Sequence, residues 1–167
     1  IKLGFKPEQI ECSGFGYSDQ EFGFIKEHGV KINLATMPEL KRFVELFPDT
    51  PVGIRLALKE DTHDKRGIPI DHFLNWAKTE GLQKKVNIEC LHTYIGSNFI
   101  DVKDHVNALN GLISVFKELP KELSENIKDI NVGGGFGYDY LTRKEFDWVA
   151  HAEASRNAVR LLKEATG

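Results

Sequence analysis

Five short apolar runs, each followed by a longer stretch with helical spacing, constrain this chain more than any other feature. Ile10-Glu11-Cys12-Ser13, Val30-Lys31-Ile32-Asn33-Leu34-Ala35, Val52-Gly53-Ile54-Arg55-Leu56-Ala57, Val86-Asn87-Ile88-Glu89-Cys90-Leu91 and Asp129-Ile130-Asn131-Val132 read as strands. Ser18 with Glu21, and Thr36 with Glu39, have the spacing of capping boxes and predict helix starts behind the first two strands, with Gly29 ending the first helix. Pro69 to Gly81 reads as a third helix. Asp101 to Glu118 reads as a fourth, with Val106, Leu109, Leu112, Ile113 and Phe116 on one face. A short helix follows Pro120, and Lys144 to Glu164 reads as a long closing helix. Lys59 to Arg66 is the most loop-like stretch. Strands alternating with helices mean βα units and a parallel sheet, either doubly wound or part of a (β/α)₈ barrel. Five units cannot close a barrel, which needs eight strands and about 250 residues.

Composition narrows the class. The chain has 167 residues, 41% hydrophobic and 28% charged, as in a globular domain with a core of its own. A net charge of −3 gives no reason to expect a nucleic acid or an anionic membrane as partner. No apolar run reaches transmembrane length. Cys12 and Cys90, each inside an expected strand, read as buried reduced thiols of a cytoplasmic protein. The chain does not begin with Met, as expected of a piece of something longer.

The strand ending at Val132 runs into Gly133-Gly134-Gly135-Phe136-Gly137. Glycine permits positive φ and close backbone approach, and successive N–H groups in such a turn make an anion-binding concavity, so the expected ligand is a phosphate. The dinucleotide fingerprint fails because Tyr138 stands where its third glycine belongs, and no Gly-Lys-Ser/Thr follows for a Walker loop. One βα unit earlier, Leu91-His92-Thr93-Tyr94-Ile95-Gly96-Ser97-Asn98 also lies at a strand's C-terminal end, where Ser97 can offer a hydroxyl to the same phosphate. Arg55 is a charge inside an apolar strand: it either faces the mouth of the sheet to bind an anion or reaches solvent past a buried stem. His92 is either a site residue or a core histidine. Asp61, His63 and Asp64 read as solvated surface, and no metal-ligand signature, His-Glu-x-x-His motif or nucleophile elbow is present.

Taken in order, Gly4-Phe5-Lys6-Pro7-Glu8-Gln9-Ile10, Val30 to Leu40, Val52 to Leu56, Lys65-Arg66-Gly67-Ile68, Leu91 to Ser97 and Asn131 to Gly137 resemble the barrel of the fold type III pyridoxal-phosphate-dependent decarboxylases. These are the alanine-racemase-like enzymes that include diaminopimelate, ornithine and lysine decarboxylases. The resemblance implies an α/β fold, a partial PLP-binding (β/α)₈ TIM barrel comprising roughly strands three to seven. It places residues 1–167 centrally in the barrel, with the first strands and a C-terminal β-domain outside the chain. It implies pyridoxal 5'-phosphate as cofactor, a small-molecule amino acid as substrate, carboxy-lyase activity in amino-acid biosynthesis and a homodimer. Gly133, Gly134, Gly135 and Ser97 then match phosphate-contacting residues, and Arg55 an arginine near the cofactor. Tyr94 stands where a histidine usually stacks on the cofactor ring, and His92 matches the first member of a His-x-His pair. The Schiff-base lysine is expected upstream of Ile1. An amino-acid racemase or D-amino-acid lyase on the same barrel, motivated by Tyr94, and a non-catalytic PLP-binding or regulatory homologue, motivated by Tyr94 and by the Schiff-base lysine not lying in this chain, remain the alternative expectations. An open sheet with two unpaired edges is expected to be unstable or sticky alone.

Overall fold

The computed structural model describes residues 3–58 and 67–166. Strands β1 (Glu11–Gly14), β2 (Lys31–Leu34), β3 (Val52–Ala57), β5 (Ile88–His92) and β6 (Asp129–Asn131) form a parallel path in the order β1-β2-β3-β5-β6. Helices α1 (Asp19–Glu27), α2 (Met37–Leu46), α3 (Ile70–Trp76) and α4 (Val102–Glu118) follow successive strands, and a one-turn α5 (Lys121–Ser124) precedes β6. A sixth strand, the two-residue β4 (Ile68–Pro69), pairs with β3 and was not expected. The segment from Lys59 to Arg66, with Asp61, His63, Asp64 and Arg66, lies outside the described residues.

Local chemistry accounts for the helix starts. Ser18 Oγ accepts from the Glu21 amide, while the Glu21 carboxylate accepts from Ser18 N at 2.8 Å, a complete capping box. At α2 the second half of the expected box is diverted. Glu39 N donates to Thr36 Oγ1, but the Glu39 carboxylate accepts from the amides of Gly16 and Tyr17 at 2.5 and 3.1 Å. It therefore ties the loop after β1 to the next helix.

Two expected helices differ in detail from their sequence patterns. The third reaches its expected end at Gly81, but after Trp76 it continues as a π-helical turn over Ala77–Gly81. The closing helix α6 spans Trp148–Thr166 rather than beginning at Lys144, because Lys144–Glu145 form β8 of a hairpin with β7 (Tyr138–Asp139). Asp139 fixes that turn by accepting from the Leu141 and Thr142 amides and the Thr142 hydroxyl. Asp147 then accepts from Ala150 N at 2.9 Å, which is where α6 can begin.

The sheet has two faces of opposite character, and the register shows which residues share them. Ser13, Asn33 and Gly53 lie in line, as do Arg55, His92 and Asn131. Residues between them along the strands, among them Ile32, Leu34, Ile54, Leu56 and Leu91, belong to one buried core with Leu40, Phe43, Phe73 and Leu112 of the helices. Each such side chain contributes roughly 1.5–3 kcal/mol by burial, so the helix-facing layer carries the stability. The other face is polar. Its curl brings the two ends of the path together: Asn131 on β6 donates to Glu11 on β1 at 2.8 Å, and Lys31 on β2 meets Asp129 on β6 at 2.7 Å. A parallel sheet curled around a polar interior is part of an α/β barrel, as expected. Among the described residues no helix is long and apolar enough to cross a membrane.

Candidate functional site

The loops leaving the neighbouring strands β5 and β6 are joined to each other. Phe99 N donates to the Gly135 carbonyl at 3.1 Å, Gly137 N donates to the Phe99 carbonyl at 2.8 Å, and Tyr138 N donates to Asn98 Oδ1 at 3.0 Å. This zipper demands glycine. At Gly135, φ is +99° and a Cβ would lie 2.0 Å from the Gly96 carbonyl oxygen. At Gly133, φ is +74° and a Cβ would lie 2.8 Å from the Thr93 carbonyl oxygen. Gly134, between them, faces open space, with nothing within 4 Å of its Cβ position.

The amides of the turn divide into two sets. Gly133 N donates to Asn131 Oδ1 at 2.8 Å and is thereby engaged within the protein. The amides of Gly134, Gly135 and Phe136 have no acceptor among the described residues. Three consecutive uncommitted N–H groups in a turn of this kind form an anion nest. Of the three expected glycines, Gly133 is engaged with Asn131 and helps to shape the turn, while Gly134 and Gly135, with Phe136, keep their amides uncommitted among the described residues.

Beside the nest, the Tyr94 and Ser97 hydroxyls are 2.6 Å apart, with Ser97 exposed. The Arg55 guanidinium carbon lies 5.6 Å from the Tyr94 ring centre, a cation–π distance, and Arg55 is only 6% exposed. Its head is therefore buried and does not reach solvent past a buried stem. His92, in register with Arg55, is buried, and its Nδ1–H donates to the Asn131 carbonyl at 3.1 Å. That bond fixes the tautomer and leaves Nε2 as an acceptor. Burial first, and then the Arg55 charge, hold the His92 pKa below its ordinary value, against the opposing bonds to Asn131. Thr93 anchors the strand end by donating its hydroxyl to the Leu56 carbonyl and its amide to the Asn131 carbonyl.

Sequence reasoning missed the polar residues that support this turn. The Asn131 carboxamide holds Gly133 N on one side and donates to Glu11 on the other, and Asn33 Nδ2 donates to the same Glu11 oxygen. Gly53 leaves room for Asn33, since a Cβ there would lie 1.7 Å from Asn33 Oδ1. The signal was the alternation of core aliphatics with polar or small residues in Lys-Ile-Asn-Leu, Gly-Ile-Arg-Leu, Cys-Leu-His and Asp-Ile-Asn-Val. Parallel strands buried on both faces read instead as continuous apolar runs.

The donors framing the nest are amides and a hydroxyl, with a buried guanidinium nearby, which suits a phosphate monoester. Among the described residues no group of three His, Cys, Asp or Glu could hold a metal ion.

Comparison with known proteins agrees with this chemistry. The family described as pyridoxal-dependent decarboxylase, pyridoxal binding domain, matches residues 1–166. A diaminopimelate decarboxylase of Bacteroides thetaiotaomicron is 28% identical over 162 residues, covering 84% of this chain and 40% of the relative. A crystal structure of diaminopimelate decarboxylase from Helicobacter pylori complexed with L-lysine superposes with a TM-score of 0.77 at 23% identity, covering 95% of this chain and 44% of that one. The lysine/ornithine decarboxylase of Vibrio vulnificus complexed with putrescine gives a TM-score of 0.76 at 17% identity, covering 96% and 43%. The chain therefore spans less than half the length of these proteins. It belongs to the pyridoxal-binding domain family of the pyridoxal-dependent decarboxylases.

Proposed function

We propose that the intact protein containing these residues is a pyridoxal-phosphate-dependent amino-acid decarboxylase, in which this chain is the central part of the barrel and holds the phosphate end of the cofactor. The observation that carries the reading is the row of uncommitted amides at Gly134, Gly135 and Phe136 beside the Ser97 hydroxyl. Fixed donors of this kind bind an anion without reorganising, because Gly133 and the zipper at Phe99 already hold the turn. When bound, pyridoxal phosphate supplies an electron sink for the electron pair left on carbon as CO₂ departs. The protein's part is placement. Arg55 and Tyr94 stand beside the nest and would be the residues to hold the cofactor ring there. The Tyr94 and Ser97 hydroxyls share one hydrogen bond, so with Tyr94 donating to Ser97 Oγ the Ser97 O–H is left for the phosphate. His92 remains uncharged at neutral pH, with Nδ1–H on the Asn131 carbonyl and Nε2 left as an acceptor.

The substrate class in this reading is an amino acid carrying a second amine, supported by relatives named for diaminopimelate, lysine and ornithine. The intact protein is read as a cytoplasmic homodimer. The free thiols of Cys12 and Cys90 support a reducing compartment, and sedimentation equilibrium checks the dimer. The test of function is CO₂ release from meso-diaminopimelate, lysine and ornithine by the intact protein, with and without added pyridoxal phosphate. Cofactor-dependent release from one of them is expected. No release from any, by protein that binds the cofactor, contradicts the decarboxylase reading.

A further inference from the structure

Behind the nest lies a histidine that the cofactor reading does not use. His105, on α4, is 2% exposed, and neither ring nitrogen has a hydrogen-bond partner. Its imidazole stacks on Phe136 at 4.5 Å between ring centres with an interplanar angle of 20°. The rings of Phe99 and Phe146 lie at 4.7 and 6.1 Å. Phe136 supplies one of the uncommitted amides, and Phe99 supplies both main-chain bonds of the zipper. The imidazole is thus wedged against both residues that fix the shape of the turn.

A buried polar atom without a partner costs roughly 1–3 kcal/mol, so a phenylalanine would be the cheaper filler at this position. What distinguishes histidine is that it can be charged. The groups facing it are few: the His151 ring of α6 at 5.0 Å, Asp104 on its own helix, and the Gly134 backbone, which is near the ring but outside hydrogen-bonding geometry. The glycine turn, the Phe99 loop and the segment at Phe146 present it with aromatic rings and no charge.

We propose that His105 is a positioning residue for the phosphate nest: its uncharged imidazole, stacked behind Phe136, holds the Gly134, Gly135 and Phe136 amides in their binding orientation, and protonation of the ring releases them. This deepens the cofactor reading and rests on it. Burial first, and then His151, keep the packed ring's pKa below the ordinary histidine value, with Asp104 and the Gly134 backbone opposing. The sign follows. A ring freed by local opening takes up a proton near the ordinary value of about 6.5, whereas the packed ring resists it. The packed turn is therefore fully favoured above about 6.5 and is progressively lost as pH falls below that value.

The test uses the intact protein and measures dissociation constants for pyridoxal phosphate by equilibrium dialysis from pH 8 to pH 5.5, in wild type and H105F. Phenylalanine keeps the stacking and cannot ionise. Dividing one set of constants by the other cancels the titration of the phosphate itself. The expected ratio is near one at pH 8, with wild type weaker by up to about tenfold at pH 5.5. Amide hydrogen exchange of residues 133–137 in the cofactor-free protein should accelerate on acidification in wild type relative to H105F. A ratio that stays flat, or wild type gaining affinity in acid relative to H105F, overturns the role of His105 while leaving the nest intact. Wild-type protein that takes up no pyridoxal phosphate at pH 8 overturns the cofactor reading, and this inference with it.

Discussion

Replacing Gly135 by alanine should break the nest without touching the rest of the barrel. Alanine at a φ of +99° costs roughly 1–2 kcal/mol in backbone strain alone. Its Cβ would also stand 2.0 Å from the Gly96 carbonyl oxygen and 2.9 Å from the Phe99 ring. The first neighbour is backbone and cannot rotate away, so the two loops must separate. Separation forfeits the bonds from Phe99 N to the Gly135 carbonyl and from Gly137 N to the Phe99 carbonyl, roughly 0.5–1.5 kcal/mol each. The sum is roughly 2–5 kcal/mol, equivalent to at least about a thirtyfold loss of cofactor affinity if the zippered state is the binding state. Gly134→Ala is the internal control, since its Cβ would meet nothing within 4 Å and its stability should change by less than about 0.5 kcal/mol. The assay is equilibrium dialysis of the intact variants with pyridoxal phosphate, paired with hydrogen exchange at residues 133–137. G135A protein with wild-type affinity and wild-type protection of those amides would refute the argument that the zipper sets the nest.

Three further outcomes follow from the same coordinates. Asn131→Ala removes the acceptor for Gly133 N and a donor to Glu11, and should cost roughly 1–3 kcal/mol in denaturant melts together with weaker cofactor binding; unchanged values would show that the carboxamide is dispensable. Gly53→Ala should destabilise by roughly 2 kcal/mol by displacing Asn33 from Glu11, and by less than half of that in an N33A background, so a double-mutant cycle without coupling contradicts the contact. Burial pushes the Cys90 thiol up to about 12, so its alkylation at pH 8 should be on the order of a thousandfold slower than that of an unperturbed thiol, read by mass spectrometry of the native protein.

Much of the fold was legible because local signals agreed with one another. β3 has the bounds expected from its apolar run between Pro51 and the polar stretch, and Ser18 caps α1 as its spacing indicates. The failures occurred where a side chain served a distant partner or a short turn. Glu39 looked like half of a capping box, but its carboxylate serves amides more than twenty residues away. Lys144 and Glu145 are good helix formers and continue the α6 pattern, yet the Asp139 turn and the Asp147 cap commit them to a hairpin. At the site, the glycine cluster announced an anion nest, but which amides remain available depends on the reach of the Asn131 side chain. The buried Arg55 was visible as a misfit in an apolar strand, and its inward direction became readable only with the polar face of the sheet. His105 carried no motif, since its meaning lies in the rings of Phe99, Phe136 and Phe146 folded around it.

The function proposed for this chain depends on one contact, between a phosphate and the backbone that follows β6. A crystal structure of the intact protein soaked with pyridoxal phosphate tests it most directly. Phosphate oxygens are expected within hydrogen-bonding distance of the Gly134, Gly135 and Phe136 amides and the Ser97 hydroxyl, with Gly133 N still on Asn131. A phosphate bound elsewhere in the barrel, with those three amides turned to protein acceptors, would contradict it.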